Sequence, residues 1–258
     1  MPPRNLQVSA EDAQGSMADM YSMTPVLSRA AASLAGALAV SVTAGAALVA
    51  VSAPAHADTV VMDCAGGPVT IPSTLDDVTL TGTCTDVRID ASNITVVLPA
   101  ATSLTVTGGN LEVTATGAIG VVDVKGGNNT VRAVEAGALQ VSGGNNEAIL
   151  SGTVGYAEVR GGNNSVKAST FAELQLRGGN HEGTATTIGT VVIKGSNATV
   201  KASKGVKVQA RGANNTLRFT KLRVLTIVGA NNTATVKKGT TKVSIKGANN
   251  RVRVNKRA

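Results

Sequence analysis

A Gly-[Gly/Ala/Ser]-Asn triplet returns nine times between Gly108 and Asn249, each 17 or 18 residues after the last. Its first glycines are Gly108, Gly126, Gly143, Gly161, Gly178, Gly195, Gly212, Gly229 and Gly247. So short a fixed period means one supersecondary unit copied along the chain, each copy burying its apolar face against its neighbours. Four and two residues before each glycine stand inward positions such as Val122 and Val124 or Val191 and Ile193. Alternation resumes five and seven residues after it, as in Val131 and Ala133 or Val200 and Ala202. Period-two alternation broken by Gly-Asn turns predicts two short strands and two turns per coil. The pattern extends upstream through Ala91 with Asn93, and through Ser73, where the asparagine is lost. The predicted fold is all-β, a single-domain β-solenoid of roughly eleven coils over 58–258, degenerate over 58–100 and regular over 101–258. At about 4.8 Å per stacked strand, eleven coils extend about 50 Å.

Composition fits a thin core. The chain has no Trp, and its aromatics are Phe171, Phe219, Tyr21 and Tyr156. A wide globular core normally uses more aromatic volume, whereas Val, Ile, Leu and Ala suffice when the interior is one or two side chains across. The asparagine column Asn110, Asn128, Asn145, Asn163, Asn180, Asn197, Asn214, Asn231 and Asn249 reads as architecture. Asparagine tolerates the left-handed backbone region, and stacked copies can satisfy turn amides.

Residues 30–53 form an uncharged run rich in Ala, Val, Leu, Gly and Ser, behind Arg29 and ahead of Pro54-Ala55-His56-Ala57. This reads as a signal peptide within a leader over 1–57, cleaved after Ala57, which predicts a secreted or cell-envelope protein. Acidic residues upstream favour initiation at Met17, Met20 or Met23, and the run is long enough to serve instead as a retained anchor. Cys64 and Cys84 are the only cysteines. In an exported chain the pair predicts a disulfide stapling the N-terminal coils.

Charge is graded along the chain. Residues 58–100 hold six acidic and one basic residue, whereas 201–258 hold fifteen basic and no acidic ones. The last carboxylate is Glu182, so from Lys201 onward nothing is expected to offset the cations. Outward positions just before the glycine carry Lys125, Arg160, Arg177, Lys194, Arg211 and Lys246; those six after it carry Arg132, Lys167, Lys201, Arg218 and Arg253. Stacked like charges are unfavourable. Lys194, Lys201, Lys207, Arg211, Arg218, Lys246 and Arg253 therefore make a candidate polyanion face for an envelope polymer or lipid headgroups. The competing reading is edge protection and solubility. Nucleic acid is the weaker partner, because the face lacks aromatic stacking platforms.

Enzyme signatures are sparse. His181 follows the turn asparagine and reads as a replacement for the usual Asn there. No aspartate occupies the glycine-rich turns as a calcium β-roll requires, and no phosphate loop is present, so neither metal nor cofactor is expected. Asp86, Arg88 and Asp90 alternate onto one outer face, with Asp76 and Asp77 read as about one coil earlier. That cluster carries the alternative of a carbohydrate-active β-helix enzyme. Two further alternatives are head-to-tail assembly of acidic against basic ends, and an ice-binding solenoid. The last needs a flat Thr column, whereas Thr114, Thr184 and Thr235 alternate with Arg and Lys.

With leader, cysteine pair and coils in place, the chain resembles a family of exported actinobacterial proteins known only as a domain of unknown function. The shared pattern is hydrophobic-x-Gly-x-Asn-x-x-Val, here Val159-Arg160-Gly161-Gly162-Asn163-Asn164-Ser165-Val166. The resemblance spans about 60–258 and implies the repeat type and export. It implies no activity, and the chain lacks the lipobox cysteine of lipoprotein members.

Overall fold

The computed structural model describes residues 59–258; the expected leader over 1–57 lies outside the described residues. Over that span the chain is an all-β parallel β-solenoid of about 12 turns. Early coils contain two strands, of equal length in the first coil and a short and a longer one thereafter. These pairs are β1 (Val60–Asp63) and β2 (Val69–Pro72), β3 (Asp77–Thr81) and β4 (Cys84–Asp90), β5 (Thr95–Leu98) and β6 (Ala101–Gly109). They continue as β7 (Glu112–Ala115) and β8 (Ile119–Gly127), β9 (Thr130–Ala133) and β10 (Ala136–Gly144), β11 (Glu147–Leu150) and β12 (Thr153–Gly162). Each strand pairs in parallel one coil up and one coil down, so Leu139 lies between Val122 and Ala157. The 17- and 18-residue spacings of the sequence are therefore the rungs themselves.

From Ser165 onward the expectation of two strands per coil fails. Each coil becomes one continuous strand: β13 (Ser165–Gly179), β14 (Glu182–Ser196), β15 (Thr199–Arg211), β16 (Thr216–Val228) and β17 (Thr233–Lys246), followed by β18 (Arg251–Arg257). The second corner no longer interrupts pairing, because residues on both sides of it stay in register, as Ala168↔Ala185 and Thr170↔Thr187 do. An extra residue is absorbed near Gly239, where the register with the previous coil shifts.

Three inward columns, rather than two, fill the second half of each coil. Besides the expected pair, a column seven residues before the glycine runs Cys84, Ala101, Ile119, Ala136, Val154, Phe171, Ile188, Gly205, Leu222. Two consecutive outward residues at the corner, such as Ser203 and Lys204, reset the alternation and hide this column from a period-two reading. Volume is balanced across rungs. Phe171 and Phe219 are both buried, and Gly205 leaves the space that the ring of Phe219 and the side chain of Leu222 occupy. Each buried Val, Leu, Ile or Phe contributes about 1.5–3 kcal/mol, and the contribution is shared only with adjacent coils.

The Gly-Asn corner is built from three successive requirements. A Cβ on Gly161 would overlap the carbonyl oxygen of Gly143, as on other turn glycines of the column, so the backbones can stack only without one. The next-but-one asparagine is left-handed at every coil, from φ 62 at Asn93 to φ 54 at Asn249. Some of these exposed side chains bond to one another: Asn110 donates to Asn93 at 2.8 Å, Asn128 to Asn110 and Asn145 to Asn128 at 3.2 Å, and Asn180 to Asn163 at 3.0 Å. The turn amides are served by a different column, the following residue, which is buried. Asn146 Oδ1 accepts from Asn129 N–H at 3.1 Å, while its Nδ2 donates to the carbonyls of Gly126 and Ser142 at 3.0 and 3.1 Å. His181 occupies this buried column, with Nε2 3.0 Å from the Arg177 carbonyl oxygen and no partner on Nδ1. Its placement as an asparagine replacement is thereby observed.

Cys64 and Cys84 form the expected disulfide, with Cα atoms 5.0 Å apart. Cys84 heads the third inward column, so the bond closes the top of the core.

Two outcomes follow. Asn146→Ala removes three hydrogen bonds from buried backbone and is expected to cost about 1–3 kcal/mol per stranded group, whereas Asn145→Gly stays within a few tenths; urea denaturation of both variants measures the difference. Reduction of the disulfide removes about 3 kcal/mol of cross-link stabilisation. Because repeats couple mainly to neighbours, hydrogen exchange should rise in the coils before residue 110 and stay unchanged beyond 165.

Candidate functional site

Strand alternation and the two corners divide the outward side chains into two sides of the coil. The second-half side carries Lys194, Lys207, Arg211 and Lys246. Lys194 and Arg211 are direct partners on adjacent rungs, but Val228 separates Arg211 from Lys246, and Val224 follows Lys207 in its column. The first-half side carries Lys201, Arg218 and Arg253, with Lys201 and Arg218 adjacent and Thr235 between Arg218 and Arg253. The seven candidate residues are thus gathered into two groups on different sides.

Carboxylates pair with Lys125, Arg132, Arg160 and Arg177 in the upstream part of the two columns and, among the described residues, with neither Lys167 nor Lys194. Lys125 pairs with Asp123 at 2.6 Å and Arg132 with Glu112 at 2.7 Å. Glu158 is the most enclosed acid. Its side chain is 11% exposed and lies between Arg160 at 3.0 Å and Arg177 at 2.7 Å. Arg160 forms a hydrogen bond to it; the Arg177 N–H points off the line of one, leaving that contact a charge pairing. Hydrogen bonding from Arg160, reinforced by both guanidinium charges, holds the Glu158 carboxyl below the ordinary carboxylate range despite its burial. Burial, with the Glu158 charge beside it, pushes the Tyr156 hydroxyl up.

The expectation that nothing offsets the cations from Lys201 onward needs one correction. Glu182, on the preceding rung, reaches Lys201 at 2.7 Å. Among the described residues, no other ion pair reaches 201–258.

Three groups of cations escaped the sequence reading. Lys204, Lys221 and Lys238 stack on successive rungs at the second corner. Their 17-residue spacing was the available signal, but the period-two analysis stopped short of the corner. Lys237 is the second; it follows Ser203 and Thr220 at the same spacing. The third group comprises Arg223 and Lys242, exposed on β16 and β17. Between the corner and the first-half side lies a groove of about 590 Å³, lined by Thr184, Lys201, Ser203, Arg218, Thr220, Thr235 and Lys237 over a floor that includes Phe219.

At the acidic end, Asp86, Arg88 and Asp90 do share one outer face. Arg88 is engaged with Asp90, and Ser103 donates to Asp86 at 2.6 Å. Asp90 borders a cleft of about 490 Å³ with Ser73, Ser92 and Thr107. Asp77 instead begins β3 and pairs with Thr95 on the other side, half a coil away rather than one coil earlier. Among the described residues, no three His, Cys, Asp or Glu side chains converge into a metal-ligating group.

Comparison with protein-family models, curated proteins and solved structures returns no match.

The Glu158 cluster generates a pH expectation. Because its folded pKa is lowered, its contribution is present above the unfolded carboxylate pKa of about 4.3 and is lost as pH falls through the folded value. Glu158→Gln should cost about 1–3 kcal/mol at pH 7, and the difference from wild type should shrink below about pH 4; denaturant titrations across pH measure it.

Proposed function

We propose that this protein is an exported, noncatalytic β-solenoid that binds an anionic polymer or lipid surface at the cell envelope through its basic C-terminal coils. One observation carries the reading. Of the fifteen Lys and Arg over 201–258, Lys201 and Arg218, and Lys204, Lys221 and Lys238, stack on adjacent rungs, and among the described residues a single carboxylate, Glu182, forms an ion pair with any of the fifteen. Uncompensated like charges raise the energy of the unbound fold, and a multivalent anion relieves them all at once. The disulfide supports an oxidising compartment outside the cytosol. The leader, and the resemblance to exported repeat proteins, point the same way.

Catalysis at Asp86 and Asp90 is the less favoured alternative. Residues four apart on one strand have Cα atoms about 13 Å apart, so the two side chains would have to lean together to bring their carboxyl groups within the roughly 5–10 Å of a glycosidase pair. Both acids are also engaged, one with Arg88 and one with Ser103.

The test is cosedimentation of the protein with isolated envelope material across a salt series. A variant neutralised at Lys201, Lys207, Arg211, Arg218 and Lys246 runs beside it. At about 1 kcal/mol per cation, the variant should bind at least about a hundredfold more weakly, and wild-type binding should fall steeply with salt. Salt-insensitive or equal binding by both proteins overturns the proposal. A particle mass that rises at low salt without envelope material would instead indicate head-to-tail assembly.

A further inference from the structure

We infer that a linear acidic polymer seats lengthwise in the groove over Phe219, its anionic groups held by Lys201, Arg218 and Lys237. The inference rests on the polyanion reading above and narrows it to one side of the coil and one ligand class.

The groove is a product of the corner. Ala185, Ala202 and Phe219 point inward and form its floor, while Thr184, Lys201 and Arg218 before them, and Ser203 and Thr220 after the last two, point outward and form its walls. One wall therefore reads Thr184, Lys201, Arg218, Thr235, and the other Ser203, Thr220, Lys237. Taken rung by rung, a cation faces a hydroxyl across the floor three times in succession: Lys201 opposite Ser203, Arg218 opposite Thr220, and Lys237 opposite Thr235. No carboxylate lines the groove, and Glu182 touches it only through its pairing with Lys201. Each rung thus carries one cation and one hydroxyl, about 4.8 Å from the next along the axis, with Lys201 sharing its charge with Glu182 and, among the described residues, Arg218 and Lys237 in no ion pair. Arg218 can grip a carboxylate or phosphate with two parallel N–H donors. A small anion would use one rung; a chain carrying one acidic group per monomer would use all three.

Three features favour such a polymer over other occupants. A flat lipid surface would meet the protruding Lys204, Lys221 and Lys238 at the corner before it could reach the concave floor. Those lysines instead raise the positive potential along the rim for a chain lying inside. Phe219 is buried to 3% exposure, so no aromatic face is offered for stacking nucleic-acid bases. The other basic side is broken by Val224 and Val228.

Equilibrium binding of the full chain to fluorescent polygalacturonate and to polyphosphate tests this, the first presenting carboxylates and the second phosphates. Lys201→Ala/Arg218→Ala/Lys237→Ala is compared with Lys194→Ala/Lys207→Ala/Arg211→Ala, which removes equal charge from the other side. A third variant, Thr220→Glu, places a carboxylate in the groove and removes no cation. The expected result is binding of at least one polymer, weakened at least about tenfold by the groove triple and by Thr220→Glu, and less than about threefold by the control. The log–log salt slope should fall by up to about three in the groove triple. Thermal unfolding confirms that the exposed substitutions leave each variant folded. Equal losses in the two triples, or loss in the control alone, overturn the groove while leaving the broader polyanion reading standing. Failure of the wild type to bind either polymer overturns the inference. If it also fails to bind envelope material, the broader reading falls with it. Tighter binding to phosphatidylglycerol vesicles than to both polymers assigns the charge to a lipid surface and overturns the inference as well.

Discussion

Stacking one Gly-Asn corner directly on another is the constraint on which everything else depends. A parallel coil brings the same backbone atoms together at every turn, so any misfit is repeated at each rung. Glycine removes the Cβ that would collide with the carbonyl below it, and asparagine accepts the left-handed conformation that follows. The buried asparagine then takes up backbone donors and acceptors that the corner withdraws from both water and the strand ladder. With the corner satisfied, the register is set for a whole coil. Outward columns of charge and inward columns of Val, Leu and Ile are consequences of it.

That dependence explains where chemistry can sit. The first-turn glycines and the asparagines are committed to the corner, and the inward columns are committed to a narrow core. Variation is left to outward positions, where a substitution changes a column without disturbing the register. The acidic-to-basic gradient is carried at those positions alone. At the second corner, two adjacent outward residues and a recessed floor turn a flat column arrangement into a groove. The grouping of Lys201, Arg218 and Lys237 therefore requires only a fixed period.

The period and the strand alternation were legible in the sequence because each is a local pattern returning coil after coil; the disulfide was legible from a lone cysteine pair about one coil apart, and the role of His181 from the turn slot it fills. What escaped was set by the second corner, which has no glycine repeated from coil to coil. Nothing in the composition of Ser169-Thr170 or Ser203-Lys204 marks a bend, so the third inward column, from Cys84 to Leu222, looked like spacer. The same blind spot merged two basic sides into one face and hid the Lys204, Lys221 and Lys238 column. Glu182 was overlooked as a partner of Lys201 because the residues are 19 apart, one coil and one diagonal step, which a strictly in-register reading skips. The exposed and buried asparagine columns differ by one residue in sequence and by complete burial in space.

The buried ladder is not continuous. One run of side-chain-to-amide bonds links Leu111, Asn129, Asn146 and Asn164, and a second links Ala198, Asn215, Asn232 and Asn250. His181 lies between them, and its ring reaches the carbonyl of its own coil only. In this buried column the coil at His181 is therefore joined to its neighbours by backbone alone, Glu182 N–H donating to the Asn164 carbonyl and Thr199 N–H to the His181 carbonyl, so one solenoid carries two separately bonded side-chain ladders on a single uninterrupted strand ladder.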